Sequence, residues 1–350
     1  MPQWMIGLGA GLVSAVLFLS TASGSLLALL PLLLSPIPLF VAGLGWGGRM
    51  AAFAGAAGFV FLSLISSFSA GLTFFLFAAF PAFWLSRQAL FYERPAPLVS
   101  RRGLYPPEPA EERGEEEASD AHPAPAEGVI WCPPGDIAVW AALVAALLLV
   151  IAEAGIIWVG YEGLAAALRQ TAGQSLLESG AAARFVAEQG LPVEPQRLVA
   201  LAAALLPAAA TALWLFVILA TMAAGQRILM RFGHNLRPMP DFDRMELPRP
   251  LLWAFGACFL FTFIPGEIAH FMGALIIALF IPYFLLGLAI IHAISRAWKA
   301  RIFVLGLFYF LLLFFGWLAV PVGLLGMMDP WLNLRGRLSA ASGSPGKERD

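Results

Sequence analysis

The stretch IAVWAALVAALLLVIAEAGIIWV occupies residues 137–159 and is rich in Val, Ile and Leu along its whole length. At a rise of about 1.5 Å per residue, a helix of this length crosses the apolar core of a bilayer, which is about 30 Å thick. Eight further apolar stretches, most of them long enough to span, lie at 4–20, 26–46, 50–66, 72–90, 198–222, 251–264, 268–294 and 302–328. The sequence therefore predicts an all-α, polytopic membrane helical bundle with about eight to nine transmembrane helices.

Composition excludes several other classes of protein. The chain has 350 residues, of which 60% are hydrophobic and only 12% charged, a balance that a soluble monomer does not sustain. The net charge of −1 gives no reason to expect nucleic acid as a partner. The two cysteines, Cys132 and Cys258, stand in a polar linker and an apolar run, so neither a disulfide nor a metal site is predicted, and no cofactor is expected.

Polar segments divide the chain. Residues 1–90 form an N-terminal transmembrane half with four helices, and 136–338 form a C-terminal half with about five. The Pro-, Ala- and Glu-rich segment 91–135 between them is predicted to be a disordered cytoplasmic linker, and 339–350 a disordered tail. Within the C-terminal half, loop 161–196 predicts one or two short amphipathic helices along the outer surface, broken at Gly173, Gly180 and Gly190.

Basic residues predict the orientation. If the N-terminus is cytoplasmic, the inner side receives most arginines, whereas the outer side receives only Arg169, Arg184 and Arg197 of loop 161–196. Nine crossings would place the basic C-terminal tail outside, against the same rule. A turn at Pro321–Gly323 would return the chain, but the residues after it are too few to span, so the side of the tail stays open.

Small residues and helix breakers mark packing surfaces and kinks. Gly7 and Gly11 form a GxxxG pattern that predicts close helix packing. Prolines remove a backbone donor and kink or unwind a helix, and in lipid the freed carbonyl needs a protein or water partner. The predicted helix-breaking and pocket-shaping residues are Pro31, Pro36, Pro38, Pro265, Gly266 and Pro282. Asp329-Pro330-Trp331 resembles a helix start, with aspartate as the N-cap.

Three ionisable residues stand in apolar surroundings. Glu153 lies inside the 137–159 span, where a carboxylate costs about 2.5–3.5 kcal/mol at the membrane centre, so it should face the bundle interior. Glu267 and His270 are three residues apart at a helix start, and therefore share a face. By helical rise both sites fall at similar depth. Three interpretations remain open: one polar ligand-binding pocket open to the outside, structural hydrogen bonds between helices, or unrelated positions.

The C-terminal third resembles the YybS-like family of uncharacterised bacterial inner-membrane proteins. The resemblance rests on Leu247-Pro248, on Phe284-Leu285-Leu286-Gly287-Leu288-Ala289, and on the ending Met328-Asp329-Pro330-Trp331-Leu332-Asn333-Leu334-Arg335. That family is distantly similar to the substrate-binding subunits of energy-coupling-factor transporters. The resemblance implies a bacterial inner-membrane location, an α-helical bundle with an outward pocket, and separate ATPase and coupling subunits as possible partners.

These observations predict a solute-binding or transport-related membrane protein. Membrane lipids and a small-molecule ligand are the expected partners, and Glu153, Glu267 and His270 are the candidate ligands. No ATP-binding motif is present, so active uptake would need a separate ATPase or an ion gradient. No enzymatic activity is predicted, since hydrolase and metalloprotease motifs are absent from the spans. The alternative function is a membrane scaffold that does not transport.

Overall fold

The protein is described by a computed structural model that covers residues 2–20, 25–93, 130–240, 242, 245–296, 298 and 300–332. The helices of the N-terminal half are α1 (Gln3–Leu19), α2 (Leu29–Leu34), α3 (Pro36–Trp46), α4 (Gly48–Ile65), α5 (Phe68–Phe74) and α6 (Phe80–Ala89). A short 3₁₀ turn, Leu26–Ala28, precedes α2, and a π-helical turn, Phe75–Ala79, joins α5 to α6.

The C-terminal half contains nine further helices in the described part of the chain. They are α7 (Pro134–Trp158), α8 (Leu164–Leu168), α9 (Gln174–Glu178), α10 (Ala181–Glu188), α11 (Pro195–Phe232), α12 (Pro250–Phe261), α13 (Glu267–Ser295), α14 (Arg301–Phe314) and α15 (Ala319–Leu332). A π-helical turn, Arg169–Gly173, joins α8 to α9, and a 3₁₀ turn, Gly316–Leu318, precedes α15. Strands β1 (Tyr92–Glu93) and β2 (Ile130–Trp131) pair antiparallel.

The predicted all-α membrane bundle is confirmed. Among the described residues, six helices or joined helices are long and apolar enough to cross a membrane, and a seventh span results if α14 and α15 count as one. The other two predicted spans are shorter apolar helices: α1 has 17 residues and α12 has 12. All nine predicted apolar stretches are helical, but the predicted total of eight to nine crossings depends on these two helices and stays a prediction.

One hydrophobic core joins the two halves of the chain. Leu39 and Phe40 of α3 pack with Leu215 and Ile218 of α11, and all four side chains are almost completely buried. Many large apolar side chains elsewhere are exposed, as expected for surfaces that face lipid. The predicted linker is described only at its edges, where Tyr92 lies opposite Trp131; residues 94–129 and the tail 339–350 lie outside the described residues.

The last apolar stretch is interrupted at a different place from the one that the sequence indicated. The last apolar stretch bends by 116° between α14 and the Gly316–Trp331 segment, so the predicted turn at Pro321–Gly323 is wrong. Pro321 lies in the first turn of α15, where a helix needs no N–H donor, so it fits there without ending the helix. Asp329 and Pro330 lie inside the last turns of α15, so the predicted helix start at Asp329 is also wrong.

Carbonyls freed by two of the prolines have protein partners. Pro36 begins α3 after an interruption at Ser35, and the Leu32 carbonyl, four residues before it, accepts from the Ser35 amide at 3.1 Å. Pro81 frees the Phe77 carbonyl, which accepts from the indole N–H of Trp214 in α11 at 3.0 Å. At Pro36 and Pro81, therefore, the carbonyl that loses its helical hydrogen bond accepts one from another group of the protein.

The GxxxG pattern of α1 forms a close helix contact, as predicted. Gly11 lies against the backbone carbonyl of Ala54 in α4, and a side chain at this position would collide with that carbonyl. Gly11→Leu is therefore expected to destabilise the fold by about 1–3 kcal/mol. Thermal unfolding in detergent should show a lower midpoint, whereas Gly9→Leu, on an open face of the same helix, should unfold like the parent. Equal midpoints would contradict this packing.

Candidate functional site

Two carboxylates from different membrane helices meet the start of α8. Glu153 lies in the last turns of α7, and Glu267 is the first residue of α13. The Leu164 amide donates to Glu153 Oε2 at 3.1 Å, and the Ala166 amide donates to Glu267 Oε2 at 3.1 Å. Free amides at a helix start attract anionic groups, so the two carboxylates fix loop 161–196 to the bundle.

Arg169 and His270 complete this cluster. Arg169, one turn further along the loop helix, donates from Nη2 to Glu267 Oε1. His270 Nδ1 lies 3.7 Å from the same oxygen, which is too long for a hydrogen bond. The side chain of Arg169 is 42% exposed and that of Glu267 is 15% exposed, so solvent reaches the ion pair from the arginine side.

Gly163 allows the two carboxylates to approach the loop. A Cβ atom added at Gly163 would lie 2.7 Å from Glu153 Oε1 and 2.8 Å from Glu267 Oε2. Both distances are shorter than a van der Waals contact, so any other residue would push the carboxylates away from the α8 amides. We refer to Glu153, Gly163, Arg169, Glu267 and His270 as the loop clasp.

The cavity inside the loop clasp is small. It has a volume of about 10 Å³. Its walls are formed by Glu153, Glu267 and His270, together with apolar residues of α7, α8, α11 and α13. That volume corresponds to a single water molecule. The structure thus places all three predicted residues around one cavity, but this cavity has room for no more than a water molecule; that they bind a ligand stays a prediction. Among the described residues no group of three metal-ligating side chains occurs.

A much larger cavity lies at the opposite end of the bundle. At this end of the bundle, α6, α11 and α13 end and α7 and α14 begin. We call it the basic end because Arg237, Arg296 and Arg301 lie there. The cavity there has a volume of about 550 Å³. Its walls are mainly apolar side chains of α7, α11, α13 and the α11–α12 connection, and its polar groups include Gln226, His292 and Tyr309. We refer to it as the basic-end cavity.

Arg237 connects three parts of the chain beside this cavity. It is 4% exposed, and its guanidinium donates to the Ala89 carbonyl at 3.0 Å and to the Cys132 carbonyl at 2.8 Å. Gln226 in α11 donates to the Arg237 carbonyl at 2.7 Å. Burial lowers the pKa of Arg237. Burial also raises the pKa of the Cys132 thiol, and the nearby Asp136 adds to this increase, whereas the positive charge of Arg237 partly offsets it.

A histidine and a tyrosine form another polar contact on the cavity wall. His292 Nε2 and the Tyr309 hydroxyl are 2.7 Å apart and join α13 to α14. His292 lies in the last turn of α13. The hydrogen bond also fixes its ring beside the basic-end cavity, which the sequence did not indicate.

Of the predicted pocket-shaping residues, none of Pro31, Pro36, Pro38, Pro265, Gly266 and Pro282 lines either cavity. Pro265 and Gly266 do separate α12 from α13 as predicted, with Gly266 at a φ of 104°. Pro282 lies inside α13, which continues through it. Pro207, inside α11, lines the loop-clasp cavity and was not predicted.

Comparison with known proteins supports the membrane assignment. Residues 133–330 match the family described as Predicted membrane protein (DUF2232), and this range contains α7 to α14, nearly all of α15 and most residues that line the basic-end cavity. No curated protein and no solved structure matches the chain. Because the matched range exceeds half of the chain, this protein belongs to the DUF2232 family of predicted membrane proteins.

Proposed function

We propose that this protein binds an amphipathic solute within the bacterial inner membrane and takes part in its transfer. The observation that carries the proposal is the basic-end cavity, whose volume of about 550 Å³ is in the range of small-molecule sites. Its combination of apolar walls with a few convergent polar groups is typical of ligand pockets. The loop-clasp cavity of about 10 Å³ has no room for an organic molecule.

This proposal moves the ligand site away from the residues that the sequence singled out. In it, Glu153, Glu267 and His270 keep the loop end closed, and the solute enters from the basic end. With the basic end facing the cytoplasm and the N-terminus on the same side, the arrangement follows the distribution of arginines. Because no ATP-binding motif is present, coupling to an energy source would require a separate ATPase or an ion gradient.

Filling the cavity tests the proposal. Ala220 of α11 lines the basic-end cavity, and Ala220→Trp should occupy part of it and displace the solute. Protein purified from native membranes in a mild detergent should therefore lose a recurrent bound molecule, measured by mass spectrometry. Ala209→Trp is the matched control, because Ala209 is exposed on the same helix and lines neither cavity.

The opposite result would favour the scaffold alternative. If parent and Ala220→Trp retain the same molecules, or none, the cavity does not hold a solute. Recovery of the intact protein with envelope proteins and without a retained small molecule would then indicate a scaffold. A size-exclusion profile unchanged from the parent shows that Ala220→Trp remains folded.

A further inference from the structure

The charge of the basic-end cavity is one-sided. Among the described residues that line it, three are arginines, namely Arg237, Arg296 and Arg301, and none is an aspartate or glutamate. Guanidinium groups are planar donors that bind phosphate and carboxylate groups in a bidentate manner. The cavity therefore carries a set of donors suited to an anion.

Arg237 adds a second, independent observation. Its Nη1 and Nη2 atoms donate to neutral backbone carbonyls, and its buried Nε has no hydrogen-bond partner. Among the described residues, no carboxylate pairs with this guanidinium, although it is 4% exposed. A buried charge without a counter-ion and a buried donor without an acceptor are both costly, and an anion at the cavity would relieve both.

The remaining walls indicate the rest of the ligand. Phe216 and Leu219 of α11, Met245 of the α11–α12 connection, and Leu285 and Leu288 of α13 surround most of the space. A free phosphate ion would leave most of about 550 Å³ of apolar space unfilled. An acyl or other hydrocarbon chain would fill it favourably, since burial of apolar area is worth about 25 cal/mol per Å².

We propose that the basic-end cavity binds a phosphate-bearing lipid, with its phosphate at the arginines and its hydrocarbon chain along the α11–α13 wall. This assignment rests on the proposed function and names the substrate class of the same site. It specifies the headgroup charge as well as the amphipathic character of the solute. Recognition of phosphate also accounts for the three arginines among the described residues of the cavity wall.

Binding of a fluorescent phosphatidic acid to the delipidated full-length protein in detergent tests this assignment. Unlabelled phosphatidic acid should displace the probe, whereas phosphatidylcholine with the same chains and inorganic phosphate should both compete much more weakly. Arg301→Gln should weaken binding about tenfold or more, because it removes a charge-assisted contact. Arg231→Gln, at an exposed site of α11 outside the cavity, should change binding by less than about twofold.

Three outcomes would overturn the proposal. Equal competition by phosphatidylcholine would make the cavity an apolar groove without headgroup recognition. Equal competition by inorganic phosphate would assign the site to a soluble phosphate compound. Absence of probe binding by a folded protein would remove the lipid altogether. If Ala220→Trp nevertheless displaces a neutral molecule from the purified protein, the proposed solute binding stands and only the phosphate-lipid assignment fails.

Discussion

Arg237→Met is expected to lower the free energy of unfolding by about 3–5 kcal/mol, because two charge-assisted hydrogen bonds of about 1.5–3 kcal/mol each are lost. The bonds reach Ala89 at the end of α6 and Cys132 before α7, so their loss removes a polar connection between these segments at the basic end. Removing the buried charge itself offsets part of this cost. Chemical or thermal unfolding in detergent measures the difference.

The control for this variant is Arg249→Met, since Arg249 is exposed at the start of α12 and lines neither cavity. It should unfold like the parent. If the cavity holds an anionic lipid, the effect of Arg237→Met should also be larger in native lipid than in delipidated detergent, because a ligand that binds only the folded state adds to its stability. A variant as stable as the parent in both conditions would contradict the connecting role of Arg237.

Glu267→Ala is expected to release loop 161–196 locally. The Ala166 amide loses its acceptor, at a cost of about 1.5–3 kcal/mol, whereas the Arg169 pair contributes less because Arg169 is 42% exposed and solvent screens it. Hydrogen exchange of the backbone amides between 164 and 178 should accelerate about tenfold or more. The amides of α11 should keep their protection.

Two amide replacements separate the hydrogen bond from the charge. Glu267→Gln keeps an oxygen that can accept from Ala166 but loses the negative charge facing Arg169, so its effect on exchange should be smaller than that of Glu267→Ala. Glu153→Gln likewise keeps an acceptor for Leu164 and should have little effect. If Glu267→Ala leaves the hydrogen exchange of residues 164–178 unchanged, other contacts hold the loop, and Glu267 does not fix it to the bundle.

The sequence was sufficient for the fold class because lipid imposes a simple rule. Every segment that crosses a bilayer must satisfy its backbone internally, so long apolar runs such as 137–159 become helices almost without exception. Boundaries were harder to predict. The 198–222 span extends in the structure to Pro195–Phe232, because helical hydrogen bonding continues past the apolar part of the sequence into Gln226 and Arg227.

The loop clasp was predictable in part. The free-energy cost of a carboxylate in an apolar span indicated that Glu153 faces the bundle interior. The similar depth of Glu267 and His270, estimated from helical rise, indicated that they could lie near it. Their partners were not predictable, since the α8 amides and Arg169 belong to a loop whose course depends on tertiary contacts. Gly173 was expected to break that loop, but it lies in a π-helical turn that continues into α9.

The basic-end cavity was missed for a related reason. Arg237 stands in a connection between helices, where arginine is usually solvated, and only the fold shows that it is buried against Ala89 and Cys132. His292 and Tyr309 are 17 residues apart in different helices, and nothing in their spacing indicates a hydrogen bond. The polar Gln226 close to an apolar span was the one available indication in the sequence.

The most direct test of solute binding at the basic end is a density map of the full-length protein in nanodiscs made with its native lipids. We predict continuous density inside the basic-end cavity, with a compact anionic head beside Arg237 and Arg301 and a tail between α11 and α13. A cavity that is collapsed, or that is filled by residues of the chain itself, would contradict the account.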